Sequence, residues 1–380
     1  MGSVERVTRD GKVVGYQARW RDPGRAQRKR TFRRKLDAER FLTSITSDLL
    51  RGAYVDPHDR TTVGAFGRPW LAGQAQLKPS SRARSESVWR NQVQSRWDTT
   101  PLSLVTRSDV AAWSLALTEK GLAASSVRKA VGLLSQVLGA AVEDGRLARN
   151  VCVGVKLPRL VRDEPRFLSF DQVDDLAAAA GDSSLLIRFL ALTGLRFGEA
   201  AALRVSRVDL LRRRIQVVQT VGEIGGHLSW GTPKTHATRK VPLSPALRDD
   251  LAVHLAGRGP DDMVFTSPAG GVLLLGNFRS RVFDPALRSA GLAHFTPHDL
   301  RHTAASLAIA SGASVKAVQS MLGHASAAMT LDVYAGLFPD ELDAVADRLG
   351  AAWDASRAAR VPAVCPEALV TSLVGRRTGS

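Results

Sequence analysis

The spacing of apolar and polar positions divides the chain into segments of different character. Near the N-terminus, three stretches rich in β-type residues are separated by two turn signals, Asp10-Gly11 and Pro23-Gly24. These stretches are residues 4–9, 13–20 and 27–32. A helix is predicted to follow over residues 35–51. Three strands and one helix fit the length of residues 1–55, which we interpret as a small separate domain.

Helical spacing dominates the next segment, residues 61–157. The clearest helix is predicted over residues 125–143, where apolar side chains recur every three or four positions. A second helix is predicted over residues 106–120, closed by Gly121. Four tryptophans in this segment are interpreted as core residues rather than as platforms for stacking bases. They are Trp70, Trp89, Trp97 and Trp113.

From residue 166 the pattern mixes strands and helices. Ser169 and Gln172 form a capping box that predicts a helix over residues 170–180. Strands are predicted over residues 204–210 and 214–221, and a third is predicted to end at residues 240–243 after a turn at 235–238. The rest is predicted to be mainly helical as far as residue 349, and part of residues 351–380 is predicted to be helical.

The predicted fold class is therefore multidomain α/β and α. It comprises a small three-stranded β-sheet plus helix, an all-helical domain, and a mixed, mainly α domain with a small antiparallel sheet. The predicted domains are residues 1–55, 61–157 and 165–350, followed by a C-terminal tail, 351–380. Residues 54–60, with Pro57, and residues 156–164, with Pro158, are interpreted as linkers.

The net charge of the chain indicates which kind of partner it binds. The chain has 380 residues and a formal net charge of +17 at pH 7, which favours binding to a polyanion such as nucleic acid. A basic protein at a membrane surface is the alternative, but no apolar run approaches the roughly 20 residues that a membrane span needs. Cys152 and Cys365 form no disulfide framework and no zinc pattern. With no apolar signal region at the N-terminus, we expect a cytoplasmic, nucleoid-associated protein.

The most basic stretch is residues 28–35, in which six of eight residues are Arg or Lys. Aromatic residues interleave with these cations, which favours a sheet with one basic face that enters a DNA groove. A solvated charge run is the alternative. Further phosphate contacts are predicted in the helical segment. The candidate DNA-binding residues are Arg28, Lys29, Arg30, Arg33, Arg34, Lys35, Arg82, Arg84 and Lys129.

Six side chains in the third segment have the chemistry needed around a phosphodiester. Two guanidiniums, an ammonium and two imidazoles are donors for the oxygens of a phosphate, and a tyrosine hydroxyl is a nucleophile. They stand in TGLRFGEAAAL, TPKTHATRKVPL, HDLRHTAAS and LGHASAAMTLDVY. The six residues are Arg196, Lys234, His298, Arg301, His324 and Tyr334.

In order, spacing and flanking residues, this set resembles the tyrosine recombinases, also called the phage integrase family. The resemblance runs from about residue 166 to residue 349 and keeps every position of that family's catalytic pattern. The first 55 residues resemble the arm-binding domain of lambda-type integrases, and the helical segment resembles the core-binding domain that clamps DNA opposite the catalytic domain. The arginine-rich composition, typical of a GC-rich genome, favours an actinobacterial phage or prophage as the source.

The resemblance also implies a role for each residue. Arg196 and Arg301 would bind the phosphate, and a planar guanidinium that stays charged suits that task. Glu199 would buttress a neighbouring catalytic side chain. His298 would hydrogen bond and transfer a proton near the tyrosine, and His324 would donate to a non-bridging oxygen.

Lys234 and Tyr334 complete the set. Lys234 would protonate the leaving 5′ oxygen, which an ammonium does more readily than a guanidinium. Lys240 is its competitor, although the family's lysine precedes the turn, as Lys234 does. Tyr334, the only tyrosine after Tyr54, would be the nucleophile. His302, four residues after His298, suggests a metal pair only superficially, because the zinc-protease pattern also needs a glutamate after its first histidine. His302 is interpreted as structural.

The implied function is conservative site-specific recombination through a 3′-phosphotyrosyl intermediate, with no metal and no other cofactor. The implied partners are double-stranded DNA attachment sites of core and arm types. Four protomers would act on two duplexes through a Holliday junction, and a host integration factor and an excisionase would assist. Two alternatives belong to other classes: a type IB topoisomerase that relaxes DNA, and an inert DNA-binding regulator.

Overall fold

A computed structural model describes residues 2–22, 24–51, 54–56, 59–160, 166–233, 238–292, 295–337 and 342–358. The chain forms two compact units. The first contains Met1–Glu164 and Glu223–Ser229, and the second contains Pro165–Gly222 and Trp230–Ser380. No helix among these described residues is long and apolar enough to cross a membrane.

The first unit begins with an antiparallel sheet in the order β1-β2-β3, and a helix covers one of its faces. These elements are β1 Ser3–Arg9, β2 Lys12–Arg21, β3 Gln27–Phe32 and α1 Lys35–Leu50. Asp10 and Gly11 both have positive φ (50° and 74°), the geometry that tight hairpins favour. Trp20, Ile45 and Tyr54 form a small core between sheet and helix. All four elements lie where the sequence predicts them.

The rest of the first unit is helical. Its helices are α2 Val63–Ala72, α3 Pro79–Val88, α4 Gln94–Trp97, α5 Arg107–Glu119 and α6 Ala124–Glu143. A π-helical turn, Trp89–Val93, joins α3 to α4. The apolar stripe of α6 is buried because it faces the other helices, and Trp89, Trp97 and Trp113 are buried in the same core. Trp70 is half-buried at the margin of this core.

Helices predominate in the second unit. They are α7 Phe170–Ala179, α8 Ser184–Thr193, α9 Phe197–Ala201, α10 Pro245–His254, α11 Leu275–Phe278, α12 Asp284–Ser289, α13 Asp299–Ala310, α14 Val315–Leu322, α15 Ala327–Tyr334 and α16 Leu342–Ala358. The predicted capping box at Ser169 and Gln172 begins α7. α8 lies centrally and packs on α7, α10 and α13, which buries Ile187, Phe189 and Leu190 completely.

Two small antiparallel sheets lie between α9 and α10 in the chain, and residues Glu223–Ser229 of the second sheet belong to the first unit. One has the order β4-β5-β8, and the other is the β6-β7 hairpin. The strands are β4 Val208–Asp209, β5 Arg214–Val217, β6 Thr220–Ile224, β7 His227–Gly231 and β8 Arg239–Pro242. Ile215 of β5 lies opposite Val241 of β8, and both are fully buried.

Two of the predicted strands were wrong in extent. Residues 204–210 form mainly a 3₁₀ turn, Val205–Arg207, and only Val208–Asp209 is a strand. The amides of Val205 and Ser206 donate to the carbonyls of Asp262 and Pro260, so a distant loop satisfies groups that a strand would use. The stretch 214–221 divides between β5 and β6. The turn predicted at 235–238 lies mostly outside the described residues, as do the end of the second linker and residues 359–380.

Candidate active site

Five of the six predicted catalytic residues lie together in the second unit. They come from the loop between α8 and α9 (Arg196), the start of α13 (His298, Arg301), the turn after α14 (His324) and the end of α15 (Tyr334). These groups are close enough to interact electrostatically. Besides burial, the positive charges of Arg301 and Arg196 lower the pKa of His324, as does His302. The pKa of Arg301 responds to Arg196 and Tyr334. Lys234, the sixth, lies outside the described residues.

A buried carboxylate organises the loop that carries Arg196. The side chain of Glu199 is 1% exposed, and its Oε2 accepts from the Arg196 amide while Oε1 accepts from Arg196 Nη1, both at 2.9 Å. Burial alone raises the pKa of Glu199, but the hydrogen bonds and charges of Arg239 and Arg196 outweigh burial and hold that pKa below its usual value. Glu199 is therefore an anion that fixes both the backbone and the guanidinium of Arg196.

Arg239 is the second partner of Glu199, and the sequence did not single it out. Its Nη1 and Nη2 donate to the two carboxylate oxygens at 3.0 and 2.6 Å, the bidentate geometry that makes such pairs strong. Its Nε donates to the Met321 carbonyl at 3.1 Å, next to the turn that carries His324. Arg239 therefore ties β8 to both the Arg196 loop and the His324 turn. The sequence signal was only its place one residue before Lys240, in a chain with 53 Lys and Arg residues.

Arg301 is 4% exposed and is held by the ends of two helices. Nη1 donates to the Gly194 carbonyl after α8, and Nη2 donates to the Leu322 carbonyl at the end of α14, both at 2.6 Å. Burial, followed by the positive charges of Arg196 and Arg239, lowers the pKa of Arg301 to about 9, so the group stays a cation at neutral pH. Among the described residues, these bonds use two of its five N–H groups.

The turns beside Arg301 depend on glycine. Gly194 and Gly323 end α8 and α14 in the left-handed region, with φ of 64° and 67°, which glycine adopts without strain. A Cβ on Gly194 would lie 2.7 Å from Leu322 Cδ2, and a Cβ on Gly323 would lie 2.7 Å from Arg239 Cδ. A side chain at Gly194 would therefore push against Leu322, whose carbonyl accepts from Arg301, and one at Gly323 would push against Arg239 itself.

His324 makes a hydrogen bond to a second residue that the sequence did not indicate. Its Nδ1 lies 2.9 Å from Oγ1 of Thr330, a fully buried residue of α15. Burial, with the positive charges of Arg301 and Arg196, lowers the pKa of His324 to about 4, so the imidazole is neutral at pH 7. If the Thr330 hydroxyl donates to Nδ1, the ring proton is on Nε2, which is then a donor.

Tyr334 is buried, with 1% of its surface exposed, among Ile309, Val318 and Leu322. Burial raises the pKa of its hydroxyl to about 12, against a smaller opposing effect of Arg301. The hydroxyl lies 2.7 Å from Nδ1 of His302. The residue that touches the predicted nucleophile is thus His302, which the sequence led us to interpret as structural.

His298 lies beside His302 at the start of α13. The two rings make an edge-to-face contact with centroids 5.2 Å apart. Burial, with the charges of His302 and Arg301, lowers the pKa of His298, and burial likewise lowers the pKa of His302. Both imidazoles are therefore neutral at physiological pH.

The basic stretch 28–35 does not form a single basic face. Ala18 and Trp20 of β2 are buried towards α1, and Arg30 and Arg28 lie opposite them on β3, so these arginines share the helix side of the sheet. Arg28 pairs with Asp22 and Asp56 at 3.0 and 2.8 Å. Because side chains alternate along a strand, Lys29 lies on the other face of the sheet, the open face that α1 does not cover.

The remaining candidate DNA-binding residues of the first unit are exposed. Lys35 pairs with Glu39 at 3.3 Å and Arg82 with Glu86 at 2.9 Å. Arg84 and Lys129 line one groove between α3 and α6, and Arg33 and Arg34 follow β3 on the surface. Arg84 and Lys129 are therefore placed to meet one ligand.

Comparison with known proteins gives a family match and several relatives. Residues 166–341 match the sequence profile described as the Phage integrase family. A tyrosine recombinase XerC of Corynebacterium efficiens is 27% identical over 237 residues, 59% of this chain and 72% of that protein. The putative prophage phiRv2 integrase of Mycobacterium tuberculosis is 27% identical over 316 residues, 80% of this chain and 83% of that protein.

The same fold occurs in a solved structure described as a lambda integrase tetramer bound to a Holliday junction. The TM-score is 0.59 at 19% identity, and the match covers 86% of this chain and 93% of that one.

Proposed function

Since this chain belongs to the phage integrase family through residues 166–341, we propose that it is a site-specific recombinase that integrates phage or mobile-element DNA into a host chromosome. The observation that carries the proposal is the group of cations and neutral imidazoles gathered around one buried tyrosine hydroxyl. That group provides a nucleophile and the donors for a pentacoordinate phosphate.

The proposed reaction begins with attack of Tyr334 Oη on a phosphodiester. A bond forms between Oη and phosphorus, the bond from phosphorus to the 5′ oxygen breaks, and a 3′-phosphotyrosyl link and a 5′ hydroxyl result. The 5′ hydroxyl of a partner strand then attacks the link and releases the tyrosine. The covalent intermediate conserves the bond energy, so that no external energy source is needed.

Each donor around the tyrosine has a proposed task. Arg196 and Arg301 bind the non-bridging oxygens, and Glu199 with Arg239 holds Arg196 in place. Nε2–H of neutral His324 donates to the same oxygens, because Thr330 occupies Nδ1. Preorganised donors of this kind each contribute about 10²–10³-fold to such rates.

DNA is the proposed partner of both units. Relatives named integrase and recombinase, and a related fold solved as a tetramer on a Holliday junction, support a tetramer of this chain on two duplexes. A host integration factor and an excisionase remain further proposed partners. Arg84 and Lys129, which line one groove, are proposed to contact phosphates of the core site.

A covalent-trapping assay tests the proposed function. Nicked duplexes tiled across the DNA that flanks the gene would be incubated with the full chain, so that cleavage releases a short fragment and traps the intermediate. We expect a protein–DNA adduct that survives denaturation, and joined recombinant products when two intact duplexes are supplied. An adduct without recombinants would favour a type IB topoisomerase, and no adduct with any duplex would favour an inert DNA-binding regulator.

We expect Lys234→Ala to slow cleavage of ordinary DNA by about 100-fold, because a general acid contributes about 10²–10⁴-fold. A substrate with sulfur in place of the bridging 5′ oxygen should restore the rate, since a thiolate leaves without a proton. Single-turnover cleavage of the two substrates measures both effects. Lys240→Ala is the matched control, because Lys240 lies exposed on β8, and it should cleave both substrates normally. Equal losses on both substrates for Lys234→Ala would contradict the assignment.

The N-terminal sheet is proposed to bind arm-type DNA through its open face. Ala18 and Trp20 are buried towards α1, so that Gln17, Arg19 and their partners on β3 face away. Arg19 pairs with Lys29 and Gln17 with Thr31 in the sheet register. Cations and polar side chains on an uncovered sheet are suited to a major groove.

A shortened chain that begins at Asp59 is expected to retain cleavage of core DNA and to lose arm binding. Asp59 is the starting point because its carboxylate pairs with Arg146 at 2.9 Å and should stay. Loss of one of two linked DNA contacts removes avidity of about 10²–10⁴-fold. Footprints on long flanking DNA, with and without residues 1–58, measure the change. Identical footprints would mean that the basic N-terminus is only a solvated charge run.

A further inference from the structure

We propose that His302 takes the proton from the Tyr334 hydroxyl during attack on DNA, and returns it when the tyrosine is released. The inference rests on the proposed function, since it adds a catalytic residue to that reaction. Its basis is the direct hydrogen bond of 2.7 Å between Nδ1 of His302 and Oη of Tyr334, a distance at which proton transfer to a general base occurs.

The chain around Tyr334 makes His302 the natural acceptor. Apolar side chains enclose the tyrosine ring, so the polar contact of the hydroxyl is to the imidazole. Phe167 also packs on the ring, with centroids 6.2 Å apart. His298, the acceptor that the family resemblance implies, contacts the His302 ring at 5.2 Å between centroids. His298 thus contacts His302, and His302 contacts the Tyr334 hydroxyl.

The charged and titratable groups around His302 determine whether it is free to accept a proton. They are His298, Asp299 and Arg301 on α13, His324 after α14, and Tyr334 on α15. Burial lowers the pKa of His302, Asp299 raises it, and Arg301 lowers it. The net direction is downwards, so the ring is neutral at physiological pH, and in the tautomer with its proton on Nε2 the lone pair of Nδ1 accepts from the Tyr334 hydroxyl. Asp299 then stabilises the imidazolium once the proton arrives.

The proton moves as the new bond forms. Burial raises the pKa of Tyr334 to about 12, so the resting phenol keeps its proton. As Oη bonds to phosphorus, the phenol oxygen becomes far more acidic, and the proton passes to Nδ1. Arg301, the proposed phosphate ligand, is close enough to affect the pKa of Tyr334, so the hydroxyl already lies near the phosphate position. In the reverse step the leaving phenolate recovers the same proton.

The test compares His302→Asn with the wild-type chain in single-turnover trapping between pH 5 and pH 9, on a duplex that the wild type cleaves. An asparagine carbonyl can accept the hydrogen bond from Tyr334 but cannot take its proton. As the pH is raised from 5, the wild-type rate should increase while His302 becomes neutral. Above pH 6.5 the rate should stay constant. The variant should be about 100-fold slower at pH 7, with a rate that rises about tenfold per pH unit as the phenolate fraction grows.

His302→Gln provides a second variant, and His254→Gln a matched control. Like His302, His254 is half-buried and makes a hydrogen bond, in its case with the backbone carbonyl of Val264. It lies on α10, outside the proposed reaction. The control should keep the flat profile. A flat profile in both His302 variants, or its loss only in His298→Gln, would overturn the proposal. The absence of any wild-type adduct would overturn the proposed function instead, so the two failures are distinguishable.

Discussion

Replacing Tyr334 with phenylalanine is expected to abolish the covalent adduct with DNA entirely, while DNA binding stays at the wild-type level. The substitution removes only the hydroxyl that attacks the phosphate. The ring stays in the apolar cluster with Ile309, Val318 and Leu322. Loss of the hydrogen bond to His302 should lower the free energy of unfolding by about 1 kcal/mol, too little to unfold the chain. Denaturing gels and mobility shifts measure adduct and binding on the same duplex.

Tyr54→Phe is the matched control for this result. Tyr54 is also buried, and its hydroxyl accepts a hydrogen bond from Trp20 Nε1 at 3.0 Å. That hydroxyl lies in the first unit, away from the proposed chemistry, so the variant should form the adduct normally. A denaturation-resistant complex that persists in Tyr334→Phe would show that another residue is the nucleophile.

The second large effect is expected from Arg239→Met. Glu199 would lose its bidentate partner while its side chain is 1% exposed. Breaking a buried ion pair from one side costs about 3–5 kcal/mol, so the free energy of unfolding should fall by that amount. Cleavage should fall as well, because Glu199 orients Arg196 and Arg239 holds the turn before His324. Urea unfolding at pH 7.5 measures the first effect, and adduct formation by the still-folded fraction measures the second.

Arg212→Met is the control for Arg239. The Arg212 side chain is 85% exposed and pairs with Asp209 at 3.2 Å, and exposed pairs contribute little to stability. A double variant, Arg239→Met with Glu199→Gln, also removes the buried negative charge of Glu199 that Arg239→Met alone would leave without its bidentate partner. It should be less destabilised than the sum of the two single variants. Equal losses in Arg239→Met and Arg212→Met would mean that the buried pair does not stabilise the second unit.

Local patterns predicted much of the fold. The strands β1 to β3 and the helices α5, α6 and α7 follow directly from alternation, helical spacing and caps. The strand predicted at 204–210 formed only at Val208–Asp209, because Val205 and Ser206 donate hydrogen bonds to a loop more than fifty residues away. Such a contact depends on tertiary structure and leaves no periodic signal.

The residues of the candidate site likewise fall into two groups, those that the sequence predicted and those that it did not. Arg196, His298, Arg301, His324 and Tyr334 were predicted as a group because their residue types suit phosphate chemistry and their order and flanking residues resemble the family pattern. Arg239 and Thr330 were not singled out and His302 was interpreted as structural, since each acts by touching one of those five. Their roles depend on side-chain distances that only the folded chain defines. The split of residues 28–35 between two faces of the sheet likewise needed the strand register.

The two glycines beside the site, Gly194 and Gly323, limit how such a chain can diverge. Any side chain at either position collides with Leu322 or Arg239 and strains the backbone as well. A lineage that acquires a new DNA target would do so by changing the proposed DNA contacts, which are the open sheet and the groove of Arg84 and Lys129. Gly194 and Gly323 leave far less room for change, because a side chain at either position meets Leu322 or Arg239 at 2.7 Å. Target choice and bond chemistry can therefore evolve at separate rates within one gene.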